Sequence, residues 1–267
     1  VRMPVVSRRL TALQSLGLAG LAFLLAAPYV VPLVLDEFWV NIIAEVMIWS
    51  LFAASVNLLF GYTGLLSFGQ ALYFGMGAYG VAFGFEFFGL SFWPAFAMGV
   101  LLGTLTAAIA GTLAVRLTWH YFAIITVVFS LIIYFLAVGS KDLTGGDDGM
   151  PLTIPPVFRV GDAEVTLFNL TFQYYFVLAV VGFGFYVMWR VLQSPLGYAF
   201  VAVRENDKRA SLIGLSPYRI RYISFVLSGF LAALAGVLFC LFARYATAQY
   251  MFWTVSGEGV IWMVVGG

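Results

Sequence analysis

The chain has 267 residues, 63% hydrophobic and 9% charged, with a formal net charge of +1. Soluble domains run at about 45–50% apolar and about 25% charged, and a water-soluble fold of this size cannot hide so much apolar surface. The near-neutral balance says little about partners and gives a nucleic-acid partner no support. The single cysteine, Cys240, excludes an intrachain disulfide and any cysteine-based metal cluster. Set in an apolar run, Cys240 reads as a small buried hydrophobe.

A helix needs roughly 20 apolar residues to cross the hydrocarbon core. In chain order, spans are predicted at Leu16–Leu35, Phe38–Phe60, Leu65–Phe88, Phe92–Val115, Tyr121–Val138, Phe172–Trp189 and Tyr222–Ala243. An eighth begins near Gly257 and is still apolar at Gly267, where the sequence stops. The runs are long and continuous rather than short alternations, which selects helices over a membrane β-barrel. The expected fold class is therefore all-α: a polytopic integral membrane helical bundle of seven complete spans plus the start of an eighth, one transmembrane domain over residues 1–267. Arg8-Arg9, the apolar stretch after them and Ala26-Ala27 share features with a signal peptide. The run from Leu10 to Leu35 is longer than a signal core, so an uncleaved first span is expected.

Loop charges orient the spans. With the N-terminus in the cytoplasm, Arg2, Arg8, Arg9, Arg116, Arg190, Arg204, Lys208, Arg209, Arg219 and Arg221 fall inside; only Lys141, Arg159 and Arg244 fall outside. The outer connections carry Asp36, Glu37, Asp142, Asp147, Asp148, Asp162 and Glu164. A cytoplasmic N-terminus is expected.

Along the second span, Asn41, Glu45, Ile48, Phe52 and Ser55 recur at helical spacing and give one face polar character. Glu45 is off-centre, toward the outer side, either as an interfacial carboxylate or at a substrate entrance. The segment Gly61-Tyr62-Thr63-Gly64-Leu65-Leu66-Ser67-Phe68-Gly69-Gln70 comes next, running on to Gly75, Gly77 and Gly80. That GxGxxG has no preceding strand or βαβ unit, so it is no dinucleotide fingerprint. Two readings stand. The small residues let helices pack closely, or they break the glycine-rich third span at membrane depth, where irregular backbone is tolerated beside protein or a water-filled cavity. In the second reading Gly64 and Gly77 open the chain, and Ser67 and Gln70 line a polar path.

The outer loop, residues 139–171, opens with a turn-rich acidic stretch containing Gly145, Gly146, Asp147 and Asp148, and Pro155-Pro156 stiffens its second half. Asp142, Asp147 and Asp148 lack the spacing of a twelve-residue calcium loop, so a solvated cap without metal is expected. The inner loop, residues 194–214, has Ser194 as an N-cap, Pro195 at the first helical position and Gly214 as a stop. It reads as a charged helix of two to four turns, either a solvated connector or a handle for a soluble motor protein.

Taken together, these segments resemble LivM-type permeases of branched-chain amino-acid ABC transporters, a family that also includes urea and short-amide permeases. Gly61–Gln70 with Gly75–Gly80 resembles its glycine-rich signature, and Leu143–Gly149 its outer loop. Gly197 through Asp207, with Ala210 and Gly214, resembles its coupling loop; Ser256-Gly257-Glu258 with Val265–Gly267 resembles its late segment. Gln70 stands where the family often has His, Tyr198 where it often has Arg, and relatives continue beyond Gly267, so a truncated C-terminal end is expected. The resemblance implies a multi-pass permease of the inner or plasma membrane that moves hydrophobic amino acids by alternating access. It implies a second homologous permease in a heterodimer, two cytoplasmic ATPase subunits and an extracytoplasmic substrate-binding protein.

Asn41, Glu45, Gly64, Ser67, Gln70 and Gly77 are then pathway candidates. Arg204, Glu205, Asp207, Ala210 and Gly214 are coupling candidates. No GxxxxGK[ST] occurs, so ATP is expected on the partner subunits and no cofactor on this chain. No catalytic set is present either: the lone His120 completes no triad. A urea or amide permease is the first alternative. A stand-alone secondary transporter or channel is the second, disfavoured because only Glu45 and Glu258 are available as intramembrane ionisable groups.

Overall fold

A computed structural model describes residues 5–117, 119–160 and 163–266. Of the residues used above, Arg2, Asp162 and Gly267 lie outside the described residues, as do the side chains of Arg8, Arg9, Arg159 and Glu164. The helices are α1 (Val5–Val34), α2 (Phe38–Asn57), α3 (Gln70–Glu86), α4 (Phe92–Ala114), α5 (Trp119–Gly139), α6 (Lys141–Thr144), α7 (Leu170–Leu192), α8 (Pro195–Glu205), α9 (Asp207–Leu212), α10 (Pro217–Ala243) and α11 (Trp253–Gly266). Among the described residues, five stretches are long and apolar enough to cross a membrane: Phe38–Tyr62, Phe92–Ala114, His120–Gly139, Leu170–Leu192 and Pro217–Ala243.

The chain divides after Ala44 into two compact units. The first holds α1 and the opening turns of α2. The Val31 carbonyl accepts the Leu35 N–H at 2.8 Å to close α1, and the Asp36 carbonyl accepts the Trp39 N–H at 3.1 Å to start α2.

In the second unit α3 lies at the centre, packed on α4 and α10. All of α3 except Met76, Phe83 and Glu86 is buried. Small residues make this possible, because backbones can approach where side chains are missing. A Cβ added at Gly77, Gly80, Gly103 or Gly236 would come within 3.0 Å of the Ala233 carbonyl, Gly99, the Tyr73 carbonyl or the Phe74 carbonyl respectively. The large apolar residues point the other way. On α4, Leu101, Leu105, Ile109 and Leu113 are exposed while Ala95, Gly99, Gly103 and Ala107 are buried. On α5, Ile124, Val128 and Ile132 are exposed while Thr126 and Ser130 are buried. A helix that hides its small and hydroxyl residues and shows its leucines needs lipid as its solvent. This is a multi-pass membrane bundle, and Cys240 is buried within it as expected.

Three details differ from the expectation. The third helix is not broken at its glycines: α3 runs through Gly75, Gly77, Gly80 and Gly84, each backed by a neighbour that occupies the missing side chain's place. The irregular backbone comes earlier, at residues 64–69. The expected single helix at 194–214 is two, α8 and α9, parted at Asn206, whose backbone is extended and whose Oδ1 accepts the Arg209 N–H at 3.0 Å to cap α9. The eighth helix starts at Trp253, inside the bundle, after a segment that folds back along α3. Ala246 pairs with Met150, Met251 presses on Gly75 and accepts from Ser130 Oγ, and Ser256 Oγ accepts the Ala71 N–H at 2.8 Å.

Among the described residues three of the four short strands lie in the outer loop, and the fourth follows α10. β1 (Met150–Pro151) pairs antiparallel with β4 (Tyr245–Ala246), and β2 (Phe158–Val160) with β3 (Ala163–Val165). Tyr79 Oη donates to the Thr144 carbonyl at 3.3 Å. The Leu152 N–H donates to the Arg244 carbonyl at 3.0 Å, and Arg244 Nη2 to the Leu167 carbonyl at 3.3 Å.

Candidate functional site

The site starts where α2 loses its regular winding. Leu58–Tyr62 form a π-helical turn, and Gly64 then takes a left-handed backbone, φ +71°, which only glycine adopts without strain. Thr63 Oγ1 donates to the Leu59 carbonyl at 2.5 Å and shares a 3.0 Å hydrogen bond with Ser224 Oγ of α10. The Gly64 and Leu65 N–H groups still donate to the Phe60 and Leu59 carbonyls at 3.0 and 3.1 Å, and beyond them side chains satisfy the backbone. Thr126 Oγ1 accepts the Phe68 N–H at 3.2 Å and Ser67 Oγ accepts the Gly69 N–H at 3.1 Å. Irregular backbone at membrane depth requires this kind of protein cover.

The break exposes the N-terminus of α3 to a ring of hydroxyls: Ser67, Thr126 and Ser256. Gln70, the first residue of α3, is completely buried, and neither its Nε2 nor its Oε1 finds a hydrogen-bond partner. The Tyr73 hydroxyl, one turn on, is also buried without a partner. A buried polar group left unpaired costs about 1–3 kcal/mol. Two such groups on one helix face need an explanation beyond packing.

The α8–α9 hairpin stands at the same end of the bundle. Ser194 Oγ accepts the Leu196 N–H at 3.3 Å ahead of Pro195, which starts α8 as its sequence predicts. Arg204, although exposed, reaches the end of α2: Nη1 donates to the Gly61 carbonyl, while Nη2 pairs with Glu205 at 2.9 Å. Asp207 pairs with Arg221 of α10 at 2.6 Å. The hairpin carries a cavity of about 430 Å³ lined by Ala202, Glu205, Asn206, Arg209, Ala210 and Ile213. A larger groove of about 530 Å³ opens between α2 and α11, walled by Trp49, Ala53, Trp262 and Met263, with Ser50 and Asn57 as its polar groups.

The family described as "branched-chain amino acid transport system / permease component" matches residues 38–267. The chain belongs to this permease family. It is 29% identical to the high-affinity branched-chain amino acid transport system permease protein LivM of Escherichia coli (strain K12), over 96% of this chain and 64% of that protein. It is 28% identical to the protein of the same name from Salmonella typhimurium (strain LT2), over 88% of this chain and 60% of that protein. The chain thus spans less than two thirds of the length of these relatives. No solved structure matches it.

In this permease chain the predicted residues separate into groups. Gly64, Ser67 and Gln70 come together at the break. Gly77 sits two turns deeper, against the Ala233 carbonyl, where it serves helix contact. Glu45 is half-buried and accepts from Trp49 Nε1 at 3.2 Å. The lower part of its stripe is a helix contact: Ile48, Phe52 and Ser55 are buried, and the Ser55 carbonyl accepts from Ser228 Oγ of α10 at 2.6 Å. Asn41 belongs to the first unit and is half-buried there.

At the hairpin, Arg204, Glu205, Asp207 and Ala210 are gathered, and Ala210 is buried. Gly214 is different. No atom lies near its missing Cβ, and it is there for its backbone, φ +86°. In the outer loop Gly145 and Gly146 hold left-handed turns at φ +74° and +66°, and Asp147 and Asp148 face outward. Among the described residues no group of three His, Cys, Asp or Glu side chains is placed to hold a metal.

Sequence reasoning missed Thr126 and the bond from Arg204 to Gly61, and named Ser256 only as part of the late segment. The two hydroxyls at Thr126 and Ser130, four residues apart in an otherwise apolar helix, were the signal for the first.

Proposed function

We propose that this chain is the membrane-spanning permease subunit of an ATP-driven importer that carries branched-chain, hydrophobic amino acids by alternating access. It performs no bond chemistry itself. ATP is bound and hydrolysed by two partner ATPases seated on the α8–α9 hairpin. A second homologous permease completes the membrane part, and an extracytoplasmic binding protein delivers substrate to the loop end. Gly64, Ser67 and Gln70 lie on the pathway.

The family match over residues 38–267 is the observation that carries this reading. Its orientation rests on charge. Arg116, Arg190, Arg204, Lys208, Arg209, Arg219 and Arg221 all fall at the hairpin end, which the positive-inside rule assigns to the cytoplasm. The hairpin is also the feature that a soluble motor can grip, since it offers apolar anchors such as Leu212 and Ile213 among flanking charges.

The test is uptake of labelled leucine, isoleucine and valine in cells lacking other routes, with the chain expressed alongside its neighbouring transport genes. Energy-dependent uptake of these amino acids that is lost with an ATPase-dead partner is expected. Uptake by this chain alone makes it a secondary transporter. Uptake of urea or acetamide in place of leucine replaces the substrate.

A further inference from the structure

We infer that Arg204 is the transmission residue of this permease: it fastens the α8–α9 hairpin to the unwound segment before α3, so that movement of the hairpin is delivered to Gln70. The inference rests on the importer reading above.

The Arg204 guanidinium donates to the Gly61 carbonyl, at the C-terminal end of the α2 winding. Carbonyls there have no partner within the helix, and the end carries a partial negative charge, so a guanidinium is held by both. The stem is seated as well. A Cβ on Gly64 would lie 2.9 Å from Arg204 Cγ, so the absent side chain of Gly64 is the place where the arginine stem rests. Glu205 fixes the fork from the other side through Nη2.

Arg204 therefore holds both ends of the turn Gly61–Gly64. Six residues beyond it stands Gln70, and the chain between is irregular, tied by the hydroxyls of Ser67 and Thr126. Such a segment passes displacement along its backbone while the packed helices around it do not deform.

The second tie makes a lever of the hairpin. Asp207, three residues after Arg204 and across the extended Asn206, pairs with Arg221 on α10. Beyond Arg221 most of α10 is buried, and it packs along α3 and α4. A push on the outer side of the hairpin thus turns about the α10 tie and moves the Arg204 tie. Coupling through two discrete contacts of this kind has physical content, because each can be removed singly.

The experiment uses the assembled transporter in lipid discs, with Cys240→Ala removing this chain's native thiol and Ser67→Cys as reporter. The rate of thiol modification at position 67 is measured nucleotide-free and with ATP trapped by vanadate. With Arg204 intact the two rates are expected to differ at least about fivefold, and in Arg204→Ala to agree within about twofold, with ATP hydrolysis retained. Gly64→Ala, which displaces the arginine stem and leaves its charge, is expected to shrink the difference too. Arg204→Lys keeps one donor and a similar stem, and is expected to restore part of it; this variant carries the test if the alanine form is not recovered in the membrane. A full difference in Arg204→Ala, or in Arg204→Lys where only that form is recovered, overturns the inference. Absence of ATP-dependent uptake in the parent transporter, with Ser67 in place, overturns the importer reading instead.

Discussion

At the loop end of the bundle, Met150–Pro151 pair with Tyr245–Ala246 through the backbone. Arg244 adds a hydrogen bond to the Leu167 carbonyl and lies 4.1 Å over the Phe168 ring. At the hairpin end, α8 and α9 are tied by two arginine side chains, Arg204 to the Gly61 carbonyl and Arg221 to Asp207. The first kind of fastening fixes backbone against backbone and leaves little room to move. The second rests on long side chains, one of them paired with an Asp207 side chain that is 43% exposed. The contrast teaches which end is built to stay and which to move.

The comparison assumes a rigid middle, and the largest effect comes from breaking it. Gly77→Leu drives a side chain into the Ala233 carbonyl, 2.5 Å from where its Cβ would begin. Overpacking costs about 1–3 kcal/mol where neighbours can shift, and a backbone carbonyl of a buried helix cannot. A large fall in the thermal midpoint in detergent is expected, with uptake lost in parallel. Lost uptake at an unchanged midpoint would return Gly77 to the pathway.

Next comes the loop end. Arg244→Ala removes a charged hydrogen bond and a cation–ring contact, together worth about 2 kcal/mol. Arg244 also sits in the left-handed region at φ +56°. Arg244→Gly is therefore expected to be about 1 kcal/mol more stable than the alanine form. Hydrogen exchange should quicken across residues 150–170 in both variants and stay unchanged at 195–212. Equal quickening at both ends would mean that the two are one cooperative unit and that the contrast is false.

The middle of the scale belongs to the α3 N-terminus. Ser256→Ala strands the buried Ala71 N–H and should destabilise by about 1–3 kcal/mol. Gln70→Met should do the reverse. It exchanges an unpartnered buried amide for an apolar side chain of similar length, so stability should hold or rise by about 1 kcal/mol while uptake falls. Wild-type uptake kinetics in Gln70→Met would remove Gln70 from the pathway.

These residues also show how much a sequence can carry. Five of the predicted spans were legible because membrane crossing is written in long apolar runs, and Ser194-Pro195 and Gly214 announced the hairpin's ends through capping chemistry. Gly64 and Gly77 looked alike as letters. One is a turn and the other a contact surface, and only the neighbours, Arg204 and Ala233, tell them apart. The return of residues 245–256 into the bundle left no periodic mark, because a short irregular segment is specified by its hydroxyl partners Ser130 and Ser256 rather than by a hydrophobic pattern. Arg204 was legible as a coupling candidate, but its bond to a carbonyl 143 residues away was not.

The smallest effect sharpens the contrast most. Gly214 ends the hairpin at φ +86° with no atom near its missing Cβ, so Gly214→Ala adds backbone strain and nothing else. The cost is about 1 kcal/mol, confined to one turn. That turn is closed by the Gly214 N–H to the Ser211 carbonyl and the Leu215 N–H to the Ala210 carbonyl, both at 3.1 Å. A hairpin held by side chains alone should respond locally: exchange quickens at residues 207–216, the midpoint of the whole bundle barely moves, and ATP hydrolysed per substrate carried rises. A hairpin fixed as firmly as the loop end would instead pass the strain into the bundle. The midpoint would then fall with no change in that ratio, and the hairpin could not be the moving end.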